Sequence, residues 1–278
     1  MKQHPVSTKI VNFFSRLNNR ELPYCAILPA NYEDRPDEKF PVLYLLHGLF
    51  GRFDNWLTNT DLIEYAGQFS FIIICAEGGD SWYTDSTEIK NHLFESYIIE
   101  ELIPEVENKF KVRGERNSRA IAGLSMGGYG AFKLAFRRPD LFSLAASMSG
   151  AFHAAAIFEN QNSVEWNELK PSILNVFGKE EGKIRQANDL FHLANNFPAE
   201  NIHLLPYFYL DCGSEDSFLP LNIKFAELLQ KRKMTFEFHE PCGGHDWEYW
   251  NRQLPSILQI VADNFILNNS KDIPAENK

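Results

Sequence analysis

Gly123-Leu124-Ser125-Met126-Gly127 sets one serine between two glycines, with Ala120-Ile121-Ala122 before it and Gly128 to Arg137 after it. The small apolar run reads as the end of a buried strand and the following segment as a helix. A serine on such a strand-to-helix bend is an elbow nucleophile, because the sharp, strained turn lifts its hydroxyl above the sheet. Strand and helix nearly touch there, so a β-carbon at either flanking position would collide. The bend also lies at a helix N-terminus, which favours developing negative charge. A serine so placed is suited to attack a carbonyl.

Such a serine needs a base and an acid that orients the base, in the chain order serine, acid, histidine, each at a strand end. Cys242-Gly243-Gly244-His245-Asp246-Trp247 follows an expected strand at Thr235–His239, and its glycines form a turn that can deliver an imidazole. Of the eight histidines, His245 is therefore the best candidate base. A role as the cap of the last helix is the competing reading. His239 lies within a strand, His203 precedes one, and His153 and His192 fall in a long irregular stretch. Asp211-Cys212-Gly213-Ser214-Glu215-Asp216 follows an expected strand at Leu204–Leu210 and offers three acids. Asp216 is preferred, because the loop past Gly213 can return a carboxylate towards the imidazole. Asp211, which can instead bond its own turn, and Glu215 remain alternatives. Two backbone N–H groups must hold the oxyanion, and Met126, next after the serine, supplies one. The other is Leu49 in His47-Gly48-Leu49-Phe50-Gly51, where Gly48 permits a tight turn and His47 is structural.

Other chemistries find little support. There is no His-x-x-x-His or Cys-x-x-Cys pair, no calcium loop, no Gly-x-Gly-x-x-Gly after a strand and no phosphate-binding Gly-Lys-Ser/Thr. No metal and no cofactor are expected. A net charge of −10 argues against a nucleic-acid partner. No window approaches the ~18 apolar residues of a membrane span, and residues 1–5 lead into no apolar h-region, so the cytoplasm is the expected compartment. Cys25, Cys75, Cys212 and Cys242 read as dispersed packing thiols, although Cys212 and Cys242 lie near enough to the proposed site for a disulfide to be considered. A homodimer is the assembly to expect if the chain associates.

The positioning elements follow from apolar patterning. Leu22–Ala30, Pro41–Leu46, Phe71–Ala76, Phe142–Ser149, Leu204–Asp211 and Thr235–His239 read as strands. Helices are expected over 55–68, with Trp56, Leu57, Leu62, Ile63 and Tyr65 inward, and over 96–110, kinked or broken at Pro104. Two more are expected over 219–231 and over 247–266, the last interrupted near Pro255. The alternation predicts an α/β fold, a mostly parallel, doubly wound sheet with helices on both faces. The chain reads as one domain over 1–267, with a partial cap-like excursion over 151–203 and a flexible tail over 268–278.

Gly-Leu-Ser-Met-Gly-Gly-Tyr-Gly-Ala (123–131), the His-Gly-Leu loop (47–49), Asp-x-Gly-x-x-Asp (211–216) and Gly-Gly-His-Asp-Trp-x-x-Trp (243–250) together resemble the putative-esterase family of α/β-hydrolases. That family includes esterase D-like hydrolases, tributyrin and feruloyl esterases, S-formylglutathione hydrolases and mycolyltransferases. The resemblance runs from about Leu22 to about Ile266. It implies a triad of Ser125, Asp216 and His245 and oxyanion donors at Leu49 and Met126. Gly79-Asp80-Ser81-Trp82-Tyr83 is similar to a further family motif, and Trp82 and Tyr83 are expected either to line a substrate pocket or to anchor the loop. Phe50-Gly51 stands where S-formylglutathione hydrolases usually carry Thr-Cys. The best match is a serine carboxylesterase of the tributyrin esterase kind, acting on small-molecule short-chain acyl esters. Acyl transfer and thioester hydrolysis are the alternatives on the same scaffold, followed by a non-catalytic binding protein.

Overall fold

Five consecutive apolar residues at Val42–Leu46 leave a strand no polar face, so both of its sides must be covered. The computed structural model, which describes residues 6–157 and 167–271, buries all five. In chain order the strands are β1 (Ser7–Val11), β2 (Phe14–Ser15), β3 (Arg20–Glu21), β4 (Tyr24–Leu28), β5 (Val42–Leu46) and β6 (Ile72–Ala76), then β7 (Arg119–Leu124), β8 (Leu144–Met148), β9 (Tyr207–Asp211) and β10 (Phe236–His239). The helices are α1 (Asn55–Asn59), α2 (Leu62–Ala66), α3 (Phe94–Ser96), α4 (Ile103–Lys109) and α5 (Met126–Arg137). They continue with α6 (Lys170–Phe177), α7 (Lys183–Asn188), α8 (Leu190–Asn196), α9 (Leu219–Lys231) and α10 (Trp247–Lys271).

Eight strands form one sheet in the order β1-β4-β6-β5-β7-β8-β9-β10, parallel from β6 to β10 and antiparallel at β1 and β4. Alternate residues of β5 enter opposite cores, as the two-residue period of a strand requires. Val42, Tyr44 and Leu46 join the core that contains α5, whereas Leu43 and Leu45 join the one that holds Trp56, Leu62 and the apolar face of α10. Helices thus cover both faces, the expected α/β architecture. Register then builds the crest: Leu46 pairs with Gly123, Leu124 with Met148, Met148 with Asp211 and Asp211 with His239. The loops after β5, β7, β9 and β10 therefore emerge side by side, where open parallel sheets bind ligands. Among the described residues no helix is long and apolar enough to cross a membrane.

Several elements differ from expectation. The helix expected over 55–68 is two short ones, α1 and α2, and Ile63 is exposed. The segment around Pro104 is continuous but widens into a π turn at Tyr97–Leu102. Pro104 then falls in the first turn of α4, where its missing N–H costs least. Conversely, α10 runs through Pro255 without interruption to Lys271. Tyr249, Leu254, Ile257, Leu258 and Val261 bury its face, and that packing outweighs one lost hydrogen bond. The antiparallel edge strand β1 has four exposed residues of five and carries no apolar run. The excursion after β8 contains α6, α7 and α8, while residues 158–166 within it and 272–278 of the tail lie outside the described residues. All four cysteines are free thiols, so Cys212 and Cys242 form no disulfide.

Candidate active site

Ser125 caps the N-terminus of α5 with φ 51° and ψ −114°, a left-handed conformation strained for a residue with a β-carbon. Its surroundings hold it there. Its N–H donates to Met148 O (2.9 Å), and its carbonyl accepts from Tyr129 N–H (3.0 Å) and Ala151 N–H (3.2 Å). A β-carbon on Gly123 would sit 2.4 Å from the Gly127 carbonyl carbon, and one on Gly127 would sit 2.5 Å from Leu46 O. The two glycines are thus the contact between strand, helix and the end of β5. Ser125 retains 7% of its accessible surface.

His245 arrives from the turn after β10. Its Nδ1 lies 2.8 Å from Asp216 Oδ2 and its Nε2 lies 3.0 Å from Ser125 Oγ. A proton on Nδ1 is donated to the carboxylate, which leaves Nε2 free to accept the serine hydroxyl. Phe218 and Trp250 stand edge-on to the imidazole, with ring centroids 4.8 and 5.0 Å away. The His245 side chain is 30% exposed, whereas that of Asp216 is fully enclosed. Burial alone would raise the Asp216 pKa. The hydrogen bond and charge of His245, the Phe218 N–H on Oδ1 (2.8 Å) and the Ser149 hydroxyl outweigh it and hold the carboxyl below its ordinary range.

The structure separates the three acids of the loop after β9. Glu215 is exposed. Asp211 is fully buried, and its Oδ1 accepts the Tyr249 hydroxyl (2.6 Å). Asp216 alone of the three stands behind the imidazole, because the acid and histidine loops are joined backbone to backbone. Cys212 N–H donates to His239 O (3.1 Å), Ser214 N–H to Pro241 O (2.8 Å) and Glu215 N–H to Gly243 O (2.9 Å). Gly213 passes so close that a β-carbon there would lie 2.2 Å from Gly243 O.

Met126 is the first residue of α5, so no earlier turn can take its N–H. Leu49 is half-buried on the loop after β5, beside this elbow. The pocket wall considered for Trp82 and Tyr83 is not formed: both rings are fully buried. Trp82 packs edge-on to Tyr129 and donates from Nε1 to Ser172 Oγ (3.0 Å), while the Tyr83 hydroxyl donates to His47 O (3.0 Å). They anchor the loop between the excursion and the end of β5. Sequence reasoning passed over three supports: Phe218, Ser149 and Lys133. Trp250 did stand in the quoted histidine motif. Lys133 is buried within α5, where its ammonium bonds Tyr83 O (2.7 Å), Thr84 Oγ1 (2.6 Å) and Glu95 Oε2 (2.9 Å); no spacing in the sequence marks it.

A groove of about 930 Å³ lies elsewhere, on the α10 side of the sheet edge, lined by residues such as Tyr207, His239 and Gln259. It includes none of Ser125, Asp216 or His245, and the site is defined by the hydrogen-bonded side chains rather than by this groove.

Comparison with known proteins places this geometry. Residues 15–260 match the family described as Putative esterase. An acetyl esterase of Caldicellulosiruptor saccharolyticus is 27% identical over 91% of this chain and 97% of its own. A solved ferulic acid esterase superposes with a TM-score of 0.79 at 25% identity, covering 94% of this chain and 99% of that one. The fluorophosphonate-binding serine hydrolase F of Staphylococcus aureus has the same fold, with a TM-score of 0.81 at 24% identity over 93% and 99% of the two chains. The chain belongs to the putative-esterase family, has the α/β-hydrolase fold and is a hydrolase acting on ester bonds.

Proposed function

We propose that the protein is a carboxylesterase that cleaves short-chain acyl esters through an acyl-enzyme on Ser125. The observation that carries this reading is the unbroken hydrogen-bonded line from Ser125 Oγ through His245 to Asp216, at 3.0 and 2.8 Å. Ser125 Oγ attacks the ester carbonyl as His245 Nε2 takes its proton. The tetrahedral oxyanion is held by the N–H groups of Leu49 and Met126, and the dipole of α5 adds to the stabilisation. Collapse expels the alcohol, which receives the proton from His245. Water then attacks the acyl-serine, giving its proton to Nε2, and collapse releases the carboxylic acid as Nε2 returns that proton to Ser125 Oγ. Asp216 keeps the ring in the Nδ1–H form and offsets the charge of the imidazolium. The preference for short acyl groups draws on the similarity to an acetyl esterase along nearly the whole of both chains.

Ser125→Ala should abolish hydrolysis of p-nitrophenyl acetate and butyrate with an unchanged unfolding midpoint, and fluorophosphonate should label the wild type alone. Normal turnover by the variant would end the proposal. A chain-length series of p-nitrophenyl esters tests the acyl preference, which requires kcat/KM to be highest at acetate or butyrate.

A further inference from the structure

The Leu49 N–H can serve as an oxyanion donor only if its peptide faces Ser125, and a peptide can turn either end towards a site. Three successive carbonyls at the end of β5 are each held by a donor. Trp56 Nε1 donates to Leu46 O (3.2 Å), the Tyr83 hydroxyl to His47 O (3.0 Å), and Gly51 N–H to Gly48 O (3.1 Å). Gly48 O also lies 2.7 Å from Nδ1 of the fully buried His47. That carbonyl and the Leu49 N–H belong to one planar trans peptide, so pinning the oxygen on one side points the hydrogen to the other.

The second ring nitrogen sets the proton. Gly78 N–H donates to His47 Nε2 at 2.9 Å, so Nε2 supplies the lone pair and the proton resides on Nδ1, aimed at Gly48 O. Glu77 Oε1 stands 3.6 Å from Nε2, beyond hydrogen-bond range, and that carboxylate accepts instead from Gly79 N–H (2.9 Å) and Phe53 N–H (3.2 Å).

We propose that His47, fixed as its Nδ1–H tautomer, is a positioning residue that holds the Gly48–Leu49 peptide with its N–H towards Ser125 before substrate binds. This rests on the reading of Ser125 and Leu49 given above. A ring that merely filled space would not distinguish its two nitrogens; a clamp on Gly48 O does.

Two amides separate the possibilities. In His47→Asn the side-chain nitrogen takes the place of Nδ1 and still donates to Gly48 O. In His47→Gln the amide takes the place of Nε2, so Gly78 keeps a partner and Gly48 O loses its clamp. With p-nitrophenyl acetate, His47→Gln should lower kcat by about 10²-fold with KM little changed, the pattern of a donor that acts only in the transition state. His47→Asn should lose no more than about tenfold, the worth of one neutral hydrogen bond. Equal losses, or the greater loss in His47→Asn, would overturn the clamp. Ser125→Ala, assayed alongside, keeps the two readings apart. If it stays active, the site assignment fails; if it is inactive while His47→Gln turns over normally, only the clamp fails. Nitrogen-15 spectra of the intact wild type test the tautomer without any variant having to fold: a protonated Nδ1 and a bare Nε2 are expected for His47, and a protonated Nε2 overturns the proposal.

Discussion

Ser125 and His245 face each other across 3.0 Å, yet the two sides of the site are built differently. The serine side is held by main chain: its own N–H and C=O are both bonded, and Gly123 and Gly127 leave no free volume around the bend. On the other side main chain ties the loops together, but the imidazole ring itself is held by side chains: one carboxylate at Nδ1 and two aromatic edges, with part of the ring open to solvent. The difference follows from what each group does in the proposed reaction. The nucleophile and oxyanion donors must already be in place when charge develops, which favours rigid backbone. The base must collect a proton at one atom and deliver it at another, which a ring pivoting against a carboxylate can do.

The sharpest way to break this comparison is Asp216→Asn. Because the base side depends on one side chain for its tautomer, the amide should permit a proton on Nε2 and leave Ser125 without an acceptor. A fall in kcat of about 10⁴ is expected, the scale known for this change in triads. The unfolding midpoint at neutral pH should fall only by what the lost carboxylate charge contributes beside His245, since the amide oxygen can still accept the Phe218 N–H. Turnover within a factor of ten of the wild type would show that the carboxylate does not govern the ring.

Gly127→Ala probes the other side and should act through stability. Its new methyl would press on Leu46 O and His47 O, 2.5 and 2.7 Å away, and neither can retreat without moving the end of β5. A loss of about 1–3 kcal/mol in urea unfolding is expected from overpacking, with slower fluorophosphonate labelling because the oxyanion loop shifts too. An unchanged midpoint would mean that the elbow has more slack than its contacts indicate.

How much of this was legible beforehand depended on whether a feature is local. The buried strands were, because Val42–Leu46 and Ile72–Ala76 are continuous apolar runs, and so was the bend at Ser125, whose glycines lie beside it in sequence. The edge strand β1 was not, because Ser7, Thr8 and Lys9 face solvent and look like loop. From the residues, the acid could be ranked with Asp216 first but not separated from Asp211 and Glu215. Separating them requires the backbone bonds between the loops after β9 and β10, which join residues almost thirty positions apart. The Trp82-Tyr83 pair was recognisable as a motif, but spacing cannot tell a pocket wall from an anchor. That distinction rests on Ser172 and on the carbonyl of His47, both remote in the chain. The excursion could be delimited, but its internal packing was hidden for the same reason: Phe177 of α6 packs on Trp82 and Tyr129, both remote in the chain.

The change with the smallest expected effect on turnover is also a sharp discriminator, because it sets two aspartates of one loop against each other. Burial pushes the Asp211 carboxyl up from 3.8 to about 7, a rise that the Tyr249 hydroxyl only partly opposes. Between those values the folded chain keeps a proton that the unfolded chain has released. Stability therefore declines as pH climbs through that window, and the cost persists above it. Asp216 has the opposite sign: its folded value is depressed, so its contribution is present above the ordinary carboxylate pKa and is lost as pH falls through the depressed one. Asp211→Asn removes the first slope. Denaturant midpoints taken from about pH 4 to about pH 8 should show the variant gaining on the wild type up to neutrality and holding that gain beyond it. Its kcat should stay near that of the wild type, because the Asp211 carboxylate answers to Tyr249 and not to His245. A variant that lost stability as pH rose in parallel with the wild type would show that Asp211 is not the group responsible, and a kcat as depressed as that of Asp216→Asn would return Asp211 to the candidate acids.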